Sequence, residues 1–457
     1  MNEPSAPINS AGTVPRLRRV LTLWDLIFYG IVLIMPIAPV PMFGVAQVLS
    51  QGHFVTTILI AMIAMMLTAV SYGRMATLYP TAGSAYTYVG RGLNPHLGFL
   101  TGWAMFLDYL IQPLINGIYG ALTIQRFFPF IPYAALAAVF VGLMTVLNLR
   151  GIRATARANT ILLTIMSTVI VVFMILAVRY LFRVEGWPGV FSTQPFYDPK
   201  TFSPRMIWTA TSYAALTYIG FDGITTLAED VKNPKRNVML ATVLVCLFTG
   251  IVGGFEVYLG QRVWPNFRTF PNVDTAFMDV TRRVGGTPLF QALGIVLILA
   301  TVGAGLTGQV GAARLLFGMG RDNVLPRRVF GYLDPMSNSP TRNIWLIGIV
   351  AYIGCLFISY EQAGEILNFG AFLAFMGVNF ATFWQFAITG QPGHKRRWIV
   401  DVVAPLSGFV FCLWIWLGLK TPAQVVGGVW FVVGLIYLAI KSRGFRTQPS
   451  MIDFRES

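Results

Sequence analysis

Met35-Pro36-Ile37-Ala38-Pro39-Val40-Pro41 interrupts the first apolar run of the chain, and its reading decides the fold. Each proline removes an amide donor and presses on the carbonyl four residues earlier, so a regular helix cannot pass through this stretch. The surrounding residues 23 to 50 are otherwise long and apolar enough to cross a hydrocarbon core of roughly 30 Å. Backbone groups released at that depth, here the carbonyls of Val32, Met35 and Ile37, persist only where protein buries them or where they line a wet cavity. A lone membrane proline makes a kink, whereas this cluster points to a binding site at Pro36, Ile37, Ala38, Pro39 and Val40.

A second interruption lies at Tyr218-Ile219-Gly220-Phe221-Asp222-Gly223, midway along an apolar run between Arg205 and Lys232. The Asp-Gly pair favours turn geometry, and an ionisable group at bilayer depth costs at least ~2.5 kcal/mol unless it faces a partner or a cavity. Asp222 therefore reads either as a cargo ligand or as a cap that ties up freed backbone amides. Tyr218, Gly220, Phe221 and Gly223 share its segment and join the candidate site.

Working outward, the whole chain is built for lipid. Of its 457 residues 55% are hydrophobic and 11% charged, with a mean hydropathy of +0.66, against roughly a quarter charged in a soluble domain. The apolar runs lack the alternation of a membrane barrel, so they are expected to be helices. About twelve are predicted: 23 to 50, 54 to 73, 97 to 125, 131 to 149, 157 to 182, 205 to 228, 237 to 260, 287 to 318, 343 to 359, 362 to 386, 399 to 419 and 422 to 441. The first run continues past signal-peptide length without a small-residue cleavage pattern and is expected to stay in the chain.

A net charge of +15 raises the possibility of nucleic acid. With the N-terminus inside, however, roughly two-thirds of the 33 Lys and Arg fall on the inner segments, which is the positive-inside bias of a membrane protein. No soluble module gathers the cations, so no nucleic-acid partner is expected. Cys246, Cys355 and Cys412 lie far apart within predicted spans, and His53, His96 and His394 in three separate connections, so neither a disulfide nor a metal site is indicated. Nucleophile elbows, zinc-protease motifs and phosphate-cradling loops are missing. The expectation is no enzyme, no cofactor and no metal, with transport driven by gradients or exchange.

Breaks in the first and sixth of twelve spans are what two inverted five-helix repeats produce, with cargo held between them at the bilayer midplane. The expected organisation is a cytoplasmic tail over 1–20, a first repeat over 21–182, a second over 183–386, two additional spans over 387–441 and a cytoplasmic tail over 442–457. A channel would show rings of like charge or a repeated filter loop, and neither is visible.

Three stretches then carry a family resemblance. They are Ser71-Tyr72-Gly73-Arg74 with Tyr79-Pro80-Thr81-Ala82-Gly83-Ser84-Ala85-Tyr86-Thr87-Tyr88; Gly220-Phe221-Asp222 with Glu229-Asp230 and Asn233-Pro234; and Ala312-Ala313-Arg314-Leu315-Leu316 with Gly320-Arg321-Asp322-Asn323-Val324-Leu325-Pro326. The chain resembles the amino acid, polyamine and organocation (APC) transporter superfamily from about Leu21 to Ile440. Within it, Asn94-Pro95-His96, Gly102-Trp103, Leu107-Asp108-Tyr109-Leu110, Pro113, Asn116 and Asn368-Phe369-Gly370-Ala371 are similar to bacterial putrescine importers. The resemblance implies an all-α membrane fold of the LeuT/APC type, a five-plus-five inverted repeat with two additional helices, in the bacterial inner membrane. It also implies an acidic residue near the Phe-Gly that follows the first break, where this chain has Pro41 before Met42-Phe43-Gly44.

For cargo, an α-amino acid needs free amides to hold its carboxylate, and a proline-rich break supplies carbonyls instead. Asp222 adds a negative charge, and Tyr109, Tyr218 and Phe221 offer aromatic faces to a cation. Asp108 and Tyr109, midway along the third span, and Asn116 further on complete the candidate set, against the alternative that Tyr109 and Asn116 merely pack between helices. The reading favours import of a small organic cation such as putrescine by alternating access. An amino acid permease or exchanger is the alternative within the class, and a channel or receptor on the same fold the alternative outside it. Aligning Gly151-Ile152-Arg153-Ala154 with proton-coupled relatives puts Met166 where they carry a lysine. Proton symport, uniport and exchange stay open.

Overall fold

The computed structural model describes residues 20–80, 84–150, 156–321, 325–335, 339–390 and 396–447. Residues 1–19 and 448–457 of the two tails, the Thr81 to Gly83 and Asp322 to Val324 parts of the motifs, and the cations Arg16, Arg18, Arg19, Arg153, Lys395 and Arg455 lie outside the described residues.

The first span opens on a capping box: Thr22 Oγ1 accepts the Asp25 amide while the Asp25 carboxylate accepts the Thr22 amide. Helix α1 (Leu23–Ile34) then ends at Met35, whose φ of 68° leaves the helical region. Residues 36–42 are a chain of turns, and α2 (Phe43–Leu49) resumes beyond them. The expected break is therefore present. The expected loose carbonyls need correction: the Ala38 amide donates to Met35 (3.1 Å), Val40 to Ile37 (3.0 Å) and Met42 to Pro39 (3.3 Å). The non-proline residues between the prolines keep their amides, and short i to i+3 turns use them to satisfy most of what the prolines release.

Beyond α3 (Phe54–Leu78), a segment outside the predicted spans forms α4 (Ser84–Gly92). Asn94 caps α5 (Pro95–Gln125), accepting the His96 amide at 2.8 Å, with Pro95 at the first helical position. Then come α6 (Tyr133–Leu149), α7 (Ala156–Glu185) and the short α8 (Trp187–Val190). The second interrupted segment is α9 (Pro204–Ala214), a 3₁₀ turn over Ala215–Tyr218, and after Gly220 (φ 113°) a longer 3₁₀ stretch over Phe221–Asp230. Thr225 and Thr226 bond back to the Asp222 and Gly223 carbonyls at 2.6 and 2.7 Å, competing with the α-helical ladder there.

The remainder is α10 (Pro234–Val263), α11 (Ala276–Arg321, bent at Gly286), α12 (Arg327–Phe330), α13 (Thr341–Phe357), α14 (Tyr360–Phe383), α15 (Ala404–Leu417) and α16 (Thr421–Lys441). Single π-helical stretches over Trp384–Ile388 and Trp398–Val403 flank the entry to α15. Among the described residues, 7 helical stretches are long and apolar enough to cross a membrane, and shorter apolar helices such as Leu23–Ile34 supplement them. Helix α16 turns Val425, Val429, Val432 and Ile436 outward, which is wasteful in water and expected in lipid.

The packing has a doubled pattern. Helix α3 packs on α10 and α5 on α11; α5 also packs on α14, and α11 on α7; α1 lies on α10, and α3 on α9. The two broken segments meet in this interior. Gly30 of α1 faces Ile224, and Leu33 lies against both Gly220 and Gly223. At the end where α1 starts, the Val20 and Leu21 amides donate to the Asp230 carbonyl (2.8 and 3.0 Å) and the Lys232 amide donates to Leu21 (2.8 Å).

Candidate functional site

Gly220 is the hinge of the second break. Its φ of 113° is one that only glycine adopts without strain, and it turns the chain so that Asp222 opens the 3₁₀ stretch. The backbone amides of Gly220, Asp222 and Gly223 lie around the Asp222 carboxylate, and the Gly223 amide donates to the Gly220 carbonyl at 3.1 Å. Both readings of this residue thus have a physical basis: main-chain amides surround the carboxylate, and it sits where the two breaks meet.

Around it the structure gathers acids and phenols. Asp108 and Tyr109 of α5 lie within electrostatic reach of Asp222, and Asp108 Oδ1 is shut from solvent with no hydrogen-bond partner among the described residues. Tyr109 remains 36% exposed, and Tyr29 of α1 lies close enough to act on it while its own hydroxyl reaches Thr226. The groups acting on Asp108 and Tyr109 are acids and phenols, with no Lys or Arg. One wall is aromatic. Phe221 is fully buried, 5.4 Å from Tyr72 and 5.3 Å from Phe375 between ring centroids, with Tyr88 5.9 Å from Tyr72. The Tyr72 hydroxyl is buried without a hydrogen-bond partner among the described residues, the buried Tyr88 hydroxyl lies beside Thr225, and both lie in the field of Asp222.

The other expected residues fall elsewhere. Pro36 and Pro39 turn toward α10 and line a small cavity with Ile31, Met35, Thr249 and Gly253. Ile37 and Val40 are buried in the core, and Ala38 is half-buried. Tyr218 is fully buried and spends its hydroxyl on the Ile58 carbonyl at 2.9 Å, a tie between α3 and the break. Asn116 donates to the Gln112 carbonyl at 2.8 Å and packs beside Gly305 of α11. Tyr72 and Tyr88 entered the sequence reading only as parts of the family motifs, and Tyr29 and Phe375 not at all, because an aromatic residue inside an apolar helix gives no sign of which face it occupies. No set of His, Cys, Asp and Glu among the described residues is grouped to hold a metal ion.

Apolar helices interrupted at two points that meet inside the bundle, with acids and phenols collected at the meeting, define an integral multi-pass membrane transporter rather than an enzyme. The chain belongs to the amino acid permease family, whose profile matches residues 42–434, and so to the APC superfamily. It is 33% identical over 435 residues to the low-affinity putrescine importer PlaP of Escherichia coli (strain K12), an alignment covering 94% of this chain and 95% of that one. The branched-chain amino acid permease BcaP of Lactococcus lactis is 24% identical, over 93% and 95% of the two chains. The vacuolar cationic amino acid transporter 4 of Arabidopsis thaliana is 28% identical over 70% of this chain and 55% of its own. The likeness to putrescine importers expected from the α5 and α14 motifs is thus met, and the cargo is a small molecule.

Proposed function

We propose that this permease imports a small organic cation, a diamine of the putrescine kind, across the bacterial inner membrane. It does so by alternating access around a site formed by Asp222, Asp108 and Tyr109, with Phe221 and Tyr72 as the aromatic wall. The observation that carries this reading is the pairing of two carboxylates, Asp108 and Asp222, within electrostatic reach of each other and with no cation acting on Asp108. Two half-buried acids within the membrane interior and without a basic partner are costly when charged, and a ligand with two ammonium ends offsets that cost. Phenol and phenyl faces add cation-π attraction of roughly 0.5 to 2 kcal/mol each. The likeness to a putrescine importer supports the same cargo.

The doubled packing supports two inverted repeats, 21–182 and 183–386, followed by two further spans. On this reading α3 and α10 are counterparts, as are α5 and α11, and α7 and α14. The packing of α5 on α14 then mirrors that of α11 on α7. The distribution of Lys and Arg supports cytoplasmic termini. The main-chain bonds joining Leu21 to Asp230 and Lys232 would then seal the cytoplasmic side, and must part when the site opens inward.

One observation favours an amino acid as cargo instead. The amides of Gly220 and Asp222 face the Asp222 carboxylate at the start of a half-helix, and a substrate carboxylate displacing Asp222 would meet them. Uptake of labelled putrescine, a monoamine, arginine and leucine into proteoliposomes separates the two. Saturable putrescine uptake with no leucine uptake is the expected result, and uptake of leucine alone would overturn the amine reading.

A further inference from the structure

Along α14, ten residues toward its start from Phe375 and so roughly 15 Å away at 1.5 Å per residue, stands a further buried acid. Glu365 is 1% exposed. The Lys420 backbone amide faces its carboxylate, but Oε1 has no hydrogen-bond partner among the described residues. Around it lie phenols in the same condition: the Tyr119 and Tyr213 hydroxyls are buried and unpartnered. Tyr360 packs on Tyr119 with ring centroids 5.1 Å apart. Asp274, from the segment preceding α11, acts electrostatically on Tyr119, Tyr213 and Tyr360.

The charge balance is one-sided. Glu361 and Glu365 on α14 share a single Lys, Lys420, whose ammonium is bonded to Glu361, and Asp274 brings a third acid within electrostatic reach of Glu361. Burial, and after it the Glu361 charge, hold the Asp274 carboxyl above the usual carboxylate range. The segment bearing Asp274 is fixed in place: the Val273 carbonyl lies 1.9 Å from where a Cβ on Gly44 would stand, so α2 and this segment touch backbone to backbone.

We infer that Glu365, Asp274, Tyr119, Tyr213 and Tyr360 form a second organic-cation site, an entry site that captures an ammonium group before it reaches Asp222. Its cargo class and its placement on the external side rest on the function proposed above. A buried carboxylate oxygen and two buried hydroxyls without partners supply acceptors for the N–H donors of an alkylammonium. The tyrosine rings cover its methylene chain, and the net negative charge draws cations toward the mouth. The site is distinct from the midplane one because it shares none of its side chains.

The test is putrescine uptake by proteoliposomes carrying wild-type protein, Glu365→Gln and Asp274→Asn, over a concentration series. An entry site predicts KM raised about tenfold in Glu365→Gln, the size of a lost charge-assisted contact, with kcat within about twofold of wild type. A smaller rise is expected for Asp274→Asn, whose half-buried segment tolerates the change and which decides the matter if Glu365→Gln does not fold. KM values unchanged in the folded variants, or a loss confined to kcat, would overturn the inference while leaving the amine reading intact. Absence of putrescine uptake by the wild type would instead overturn the reading on which it rests.

Discussion

Gly220 lies against the Leu33 carbonyl, 3.4 Å from where its Cβ would stand, so the hinge of one broken segment rests on the last turn before the other break. The two interruptions are a single structural feature built from distant parts of the chain. Prolines remove donors from the first segment, a left-handed glycine redirects the second, and the two segments pack together where Leu33 lies against Gly220 and Gly223.

Gly220→Ala is predicted to be tolerated sterically and to fail conformationally. The nearest atom is at ordinary contact distance, but φ of 113° is strained for any residue with a Cβ. The expected cost is about 1 to 3 kcal/mol, measurable as a lowered Tm of the purified protein, with uptake reduced more than expression. A Tm equal to that of wild type would show that the backbone relaxes freely there.

Asp108→Asn tests the pairing of acids. If the two carboxylates hold the two ends of one diamine, the substitution should raise KM for putrescine about tenfold and change uptake of a monoamine of equal length much less. Equal losses for both cargoes would place Asp108 outside the cargo contact.

Asp401→Ala tests a structural ion pair far from the site. Asp401 is fully buried, accepts Arg74 Nη2 at 2.6 Å and the Arg397 amide at 2.7 Å, while the Arg74 guanidinium lies 3.9 Å over the Phe386 ring. Removing one partner strands the other, at a cost of about 3 kcal/mol. The expected outcome is a Tm lower by several degrees with KM unchanged in the protein that survives. A changed KM with unchanged Tm would contradict the assignment.

Much of the architecture could be read from residues. The cluster at Pro36, Pro39 and Pro41 and the glycines flanking Phe221 and Asp222 announce the breaks because backbone chemistry is local, and the structure displays both. Satisfaction of the freed carbonyls was less legible. Whether the Ala38 and Val40 amides close turns depends on dihedral angles that composition does not set. Helix α4 escaped notice because Ser84-Ala85-Tyr86-Thr87-Tyr88 is neither apolar nor capped in the usual way, and it is held by burial against its neighbours. Side-chain facing was least legible. Tyr218 and Tyr109 are equivalent as letters, yet one is spent on Ile58 and the other opens beside Asp222. Glu365 drew no attention because a single acid near a helix start ordinarily reads as a capping or interfacial residue.

The central claim is that the Asp222 carboxylate holds a cation, beyond capping its own half-helix. Putrescine binding to purified Asp222→Asn, measured by calorimetry on protein shown by its Tm and elution profile to be folded, tests it most directly. The account predicts loss of binding by at least about tenfold. Binding at wild-type affinity by a folded Asp222→Asn protein would contradict it and reduce the residue to a cap.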